Sequence, residues 1–134
     1  MEPISSIKTI QQKKRNPFAS ASVIKALNTR IEQEEQSSRL YHSMSMWLND
    51  KGYMGAAKRL QSDSDGEMGH AQWAKDYLLD MGVQPVIPAL TKPQQDFTGL
   101  PQIIKMSYDH EIFVTEQCNN LANEALKINK EVYG

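Results

Sequence analysis

Glu67 and His70 stand three residues apart in the run Asp65-Gly66-Glu67-Met68-Gly69-His70. On a helix that spacing puts a carboxylate and an imidazole on one face. The residues at seven-residue intervals from Glu67, namely Leu60, Ala74 and Met81, are apolar. The pair would therefore point into a core, where polar side chains are costly unless they are paired or bound to a metal. Glu34 and Glu111 hold comparable central positions in two other periodic segments. Carboxylate oxygens with an imidazole suit iron, manganese or zinc, and a Glu67 bridging two metals would share its charge between them. Hard oxygen ligands stabilise ferric iron, paired ferrous ions can deliver electrons to dioxygen together, and one coordination position must stay open for the oxidant. Three helix-borne carboxylates, one of them in a Glu-x-x-His pair, make part of the ligand set of a dinuclear carboxylate bundle. The pattern alone leaves a second account open. Glu34 lies in Glu32-Gln33-Glu34-Glu35-Gln36 and Glu111 in Asp109-His110-Glu111, so either could sit at a solvated face boundary.

Three long helices have to position these groups. From about 22 to 49, Ile24, Leu27, Ile31, Glu34, Ser38, Tyr41, Ser45 and Leu48 recur at spacings of three and four, after Ser20 or Ser22 as a cap. Asn49-Asp50-Lys51-Gly52 then supplies a stop and a turn. A second helix over 54–81 carries Ala57, Leu60, Ser64, Glu67, Ala71, Ala74, Leu78 and Met81 on its inward line. Gly55, Gly66 and Gly69 weaken that helix without breaking its period, at roughly 1 kcal/mol each against alanine. Residues 83–97, with Pro85, Pro88 and Pro93, read as a crossover long enough to link parallel neighbours in a bundle. The third helix, from 98 or 100 to 129, has a stripe of Ile104, Tyr108, Glu111, Thr115, Cys118, Ala122, Ala125 and Ile128. The predicted fold is therefore all-α, one helical domain over 20–134 after a basic N-terminal extension at 1–19.

Composition narrows the function classes. A chain of 134 residues with 40% hydrophobic and 23% charged residues and a formal net charge of -1 is one ordinary domain, not a disordered chain or a supercharged nucleic-acid binder. Lys8, Lys13, Lys14 and Arg15 against Glu2 give the first 18 residues +3, which leaves -4 for the rest. That cluster reads as a solvated tail, so neither nucleic acid nor a membrane is expected as a partner. The start lacks the apolar core of a secretory signal, and no apolar run reaches spanning length. Cys118 is the sole cysteine, which excludes an intrachain disulfide and fits a cytoplasmic setting. It is expected as a buried structural thiol. Met44 and Met46 are expected as packing residues, Trp47 and Trp73 as packing or contact anchors, and His42 and His110 as exposed. Glycine-rich phosphate loops, His-Glu-x-x-His pairs, nucleophile elbows and zinc-finger spacings are missing.

From about Leu27 to Glu131 the chain resembles the non-haem bacterial ferritins. The runs that carry the likeness are Ser37-Ser38-Arg39-Leu40-Tyr41, Trp47-Leu48-Asn49-Asp50-Lys51-Gly52-Tyr53, Gly55-Ala56-Ala57, Glu67-Met68-Gly69-His70 and Tyr108-Asp109-His110-Glu111. They cover three of that family's four helices in order, including the crossover. The resemblance implies an up-down-down-up bundle and a ferroxidase centre holding two irons, with zinc or manganese as surrogates. Glu34 matches the family's first-helix ligand, Glu67 the bridging ligand, His70 the histidine on the first iron and Glu111 the third-helix ligand to the second. Tyr41 matches the tyrosine beside the centre. The implied function is iron storage and detoxification, by oxidation of ferrous iron and storage of ferric mineral inside a shell of twenty-four subunits.

Three departures accompany the likeness. The sequence stops where the turn to a fourth helix would begin, which predicts an uncovered apolar groove. A second chain, a swapped helix or a longer parent protein could fill it. The alternative function is a non-catalytic ferritin-like protein whose groove recruits a partner. Gly66 stands where the family often has an extra glutamate for a third, transit iron, which predicts a weaker site there. Residues 1–19 also exceed the family's usual start.

Overall fold

The computed structural model describes residues 20–133, the side chains at 121, 124, 125 and 128–133 excepted. The expected extension at 1–19 lies outside the described residues. Three helices follow one another: α1 (Ala21–Asp50), α2 (Met54–Asp80) and α3 (Leu100–Tyr133). Ser20 is the cap of α1, its hydroxyl accepting from the Val23 N–H at 3.2 Å. The α1–α2 turn closes through Gly52, whose φ of +89° is a conformation that a side chain would strain. Tyr53 N–H then donates back to the Leu48 carbonyl at 2.8 Å. The helix of α2 runs unbroken across Gly66 and Gly69, where nothing crowds the backbone. None of the described helices is long and apolar enough to cross a membrane.

The crossover is held along α1 by side chains of that helix. Asn28 accepts from Val86 N–H at 3.0 Å, the Gln36 amide pairs with the Thr91 backbone at 2.9 Å, and Ser43 donates to the Gln94 carbonyl. From Asn28 to Ser43 is about 22 Å of helix. Residues 86–94 cover it in eight steps of about 2.8 Å each, short of the roughly 3.3 Å per residue of a fully extended chain. The strap thus carries the chain from the end of α2 back to the far end of the bundle, so α2 and α3 are parallel and both oppose α1.

Packing is uneven. Helix α1 lies along α2 over most of its length, and α3 leans on α1 alone, making no close backbone approach to α2 among the described residues. The inward line expected for α2 is buried at every position from Ala57 to Met81. Ala57, Ala71 and Ala74 let the two backbones come close, while Leu60 and Leu78 fill the gaps, each buried apolar chain contributing about 1.5–3 kcal/mol. The core is divided in two. One apolar cluster joins Val23, Leu27 and Ile31 to Ala74, Leu78, Met81 and Val83. The other joins Tyr41, Met44 and Leu48 to Ala57, Leu60, Phe97 and Ile103. Between them lies a buried polar layer of Glu34, Ser37, Ser38, Ser64 and Glu67.

The third helix departs from expectation. Ile104 and Tyr108 of its stripe are 60% and 66% exposed, Glu111 and Thr115 are exposed, and Cys118 is half-buried rather than buried. The edge that meets α1 runs one residue earlier, through Ile103, Ser107, His110 and Val114. The stripe has the right period, but it faces where a further wall would stand, and α3 has only α1 to lean on. His110, expected exposed, is half-buried for the same reason, whereas His42 is exposed. Met44 is fully buried, and Met46 is exposed instead of packed. Trp47 packs against Phe97, and Trp73 stays 58% exposed, stacked on Tyr77.

Candidate metal centre

The polar layer brings three side chains to one point. Glu34 on α1 and Glu67 on α2 are 2% and 4% exposed, and His70, one turn after Glu67, closes the group from the open side. One ligand atom from each lies within 4.8 Å of the others. His70 Nδ1 is 3.4 Å from Glu34 Oε2 and 3.6 Å from Glu67 Oε2. Both of those oxygens are buried without a hydrogen-bond partner. An unpaired carboxylate oxygen in a core is a large cost, because water's hydrogen bonds are lost and nothing replaces them. Two such oxygens converging on one imidazole fit a divalent cation, and the oxygen and nitrogen donors suit iron, manganese or zinc.

Neighbouring contacts hold the two helices in this register. Ser38 follows Glu34 by one turn and Ser64 precedes Glu67 by one turn, and the two form a reciprocal clasp. Ser38 Oγ donates to the Ser64 carbonyl at 2.8 Å, and Ser64 Oγ donates to the Ser38 carbonyl at 2.7 Å. Both hydroxyl protons are then used, so the 2.9 Å separation of the two oxygens is a close contact, not a third bond. Further along, Ser45 Oγ donates to the Ala57 carbonyl at 2.7 Å. On the other side, Arg30 Nη2 sits 3.1 Å from Glu34 Oε1.

Glu111 is not part of this cluster. Its Oε1 accepts from the Tyr41 phenol at 2.9 Å. Burial, and then that hydrogen bond and the nearby carboxylates, push the Tyr41 phenol far above its usual value, so it remains a donor. The Tyr41 ring meets His110 edge-on. Burial lowers the His110 imidazole below its usual value, against the opposing pull of Glu111 and Glu34, and its Nε2 has no partner. The structure thus joins Glu34, Glu67 and His70, and it places Tyr41 and Glu111 together as a neighbouring pair. Arg30 and the serine clasp escaped the sequence reading. Only Arg30 left a signal, its spacing of one helical turn before Glu34.

Beside the centre, toward the uncovered side, opens a largely apolar cavity of about 390 Å³. Val23 and Leu27 line it from α1, Trp73 and Tyr77 from α2, and Cys118 and Ala122 from α3, with Arg30 and His70 on its wall. This is the expected groove. The three stripe residues Ile104, Tyr108 and Glu111 share a helix face with Cys118 and Ala122, so they continue its rim.

Comparison with known proteins agrees with this architecture. The profile of the Ferritin family, described as a ferritin-like domain, matches residues 24–132. The chain is 33% identical over 108 residues to a probable bacterial non-heme ferritin-like protein of Haemophilus influenzae, covering 81% of this chain and 66% of that one. It is 35% identical over 104 residues to a bacterial non-heme ferritin of Escherichia coli, covering 78% and 63%. The chain therefore spans 63% to 66% of the length of these relatives. Among solved structures, an open-pore ferritin from the archaeon Archaeoglobus fulgidus superposes with a TM-score of 0.81 over 87% of this chain and 71% of that one. At 23% identity that likeness shows the fold.

Proposed function

This chain belongs to the ferritin-like family, and on that premise we propose that it takes ferrous iron as its substrate at Glu34, Glu67 and His70 and oxidises it to ferric iron. The observation that carries this proposal is the pair of buried, unpartnered oxygens, Glu34 Oε2 and Glu67 Oε2, facing His70 Nδ1. Glu67, which matches the family's bridging ligand, is the group assigned to bridge two ions. Glu111, held by Tyr41, is the carboxylate available to the second ion. Each ferrous ion gives up one electron, and two ions together supply the pair that dioxygen or peroxide accepts. His70 lies on the open side, where iron enters. The ferric product then goes to mineral kept within an assembly of copies, a shell of twenty-four in the fullest form of the proposal.

Glu67→Ala tests the assignment. Rapid oxygen consumption on adding ferrous iron is expected in the parent chain and lost in the variant, with helical content retained. Oxidation at the parent rate in the variant would remove Glu67 from the centre. A second function is favoured by one observation, the uncovered side of α2 and α3. Under it the protein is a ferritin-like assembly partner that binds little iron. Native mass measurement with and without ferrous iron separates the two, since the first requires bound iron and the second requires almost none.

A further inference from the structure

We propose that Arg30 is the built-in counter-cation of the metal-free centre and that it holds down the affinity of that centre for divalent metal. This inference rests on Glu34, Glu67 and His70 being a metal site. The two oxygens of Glu34 are divided between two tasks. Oε1 is paired with the Arg30 guanidinium at 3.1 Å, and Oε2 faces His70 and Glu67 with no partner. The pair is not a surface ion pair screened by water, because the Arg30 side chain is 13% exposed and the Glu34 side chain 2%. Glu67 has no comparable cation, so Arg30 carries the only permanent positive charge in ion-pair contact with the cluster among the described residues. A guanidinium cannot lose its proton to make way for a metal.

The consequence has a definite sign. Without metal, Arg30 offsets one of two buried carboxylates and stabilises the empty state. With a divalent ion on Oε2, the same guanidinium is a like charge bound to the same carboxylate, at low local dielectric where repulsion is strong. Arg30 therefore favours the empty centre over the filled one. A purely orienting role would act the other way, since loss of the arginine would then free the Glu34 carboxylate to rotate and weaken metal binding.

Zinc titration of the full chain decides between these, using the parent, Arg30→Gln, Arg30→Met and Arg30→Lys. Arg30→Met keeps the length of the apolar stem beside Leu27 and Val23, and so guards against a packing effect of Arg30→Gln. The two neutral variants are expected to bind zinc at least tenfold more tightly than the parent, and Arg30→Lys to stay within about threefold of it. In chelator the neutral variants should unfold at lower urea than the parent, and at saturating zinc the difference should vanish or reverse. Equal or weaker zinc binding by both neutral variants, with the parent binding normally, overturns the role of Arg30 and leaves the metal site standing. Failure of all four proteins to bind zinc overturns the site and this inference together.

Discussion

Replacing Glu67 by glutamine should stabilise the metal-free protein while removing its response to metal. The amide has the shape of the carboxylate, so packing against Ala71 and Ser64 on the same line is kept. The difference lies in Oε2, which is buried and has no hydrogen-bond partner, in a side chain only 4% exposed. Glu34 has Arg30 beside it, whereas Glu67 has only His70 at 3.6 Å. A buried polar group left unsatisfied costs about 1–3 kcal/mol, and a charged one costs more. A glutamine is neutral already, so no unpaired charge is buried. The expected gain in chelator is therefore about 1–3 kcal/mol. Zinc at a hundredfold excess over its dissociation constant should add about 2.7 kcal/mol to the parent. The variant should gain a small fraction of that, so the order of stabilities closes or inverts when metal is added. Urea unfolding followed by circular dichroism, with chelator and with zinc, measures all four values. If the variant is the less stable in chelator, the buried oxygen is not the cost assigned to it. If both proteins gain equally from zinc, Glu67 is not a ligand.

Three further perturbations test the surroundings. Ser38→Ala and Ser64→Ala each remove one interhelical hydrogen bond and should each cost about 0.5–1.5 kcal/mol in urea unfolding; because the two hydroxyls are in contact, a double-mutant cycle should show coupling between them, and unchanged stability in both single variants would contradict the clasp. Tyr41 links stability to alkaline pH: above about pH 10 the unfolded chain releases a phenol proton that the folded chain keeps, so stability falls as pH rises, and Tyr41→Phe should flatten that fall in thermal unfolding between pH 9 and 11. Ile104→Lys and Tyr108→Lys touch exposed positions of α3, so sedimentation should show less self-association with unfolding midpoints nearly unchanged; a large loss of stability would mean that this face is covered within the chain.

The second helix was legible from its sequence to the residue, and the third was legible only in period. Ala57 to Met81 meet a single partner, α1, so the apolar line and the buried line coincide. Along α3, Ile104, Tyr108, Glu111 and Thr115 mark the side turned to the bundle axis, yet burial falls on Ile103, with His110 half-covered. Periodicity reports which face would be inward in a full bundle and carries no information about which walls stand beside it. The candidate site divides along the same line. Glu34 and Glu67 were readable as polar residues interrupting apolar stripes, and His70 as the imidazole three residues after Glu67. The Ser38–Ser64 clasp was not, because it depends on how α1 and α2 are set against each other, and serines fit a core line as small fillers without any partner. Arg30 sits at the shoulder of its stripe, where an arginine commonly lies along the surface. Its spacing of one turn before Glu34 was a faint signal, which the contact with Glu34 makes specific.

Completion of the bundle and completion of the centre are one event in this architecture. Trp73 and Tyr77 on α2 and Ile104 and Tyr108 on α3 are among the exposed large side chains, and His70 and Glu111, on the same two helices, are exposed with them. An element that covered the apolar rows would also bury His70, the exposed member of the cluster, and so lower further the dielectric around the already buried Glu34 and Glu67. That raises the cost of an unfilled pair of carboxylates, and it strengthens their attraction for a cation in the same measure. Arg30 bears on both sides of this balance, since it faces the same cavity. Metal affinity should therefore rise when the groove is filled, and a groove-filling partner should bind more tightly to metal-loaded protein, because linkage makes the two effects equal. Titrating a partner helix onto the chain with and without zinc would show this coupling. Equal affinity in both states would mean that the open wall and the polar layer behave as separate features of the fold.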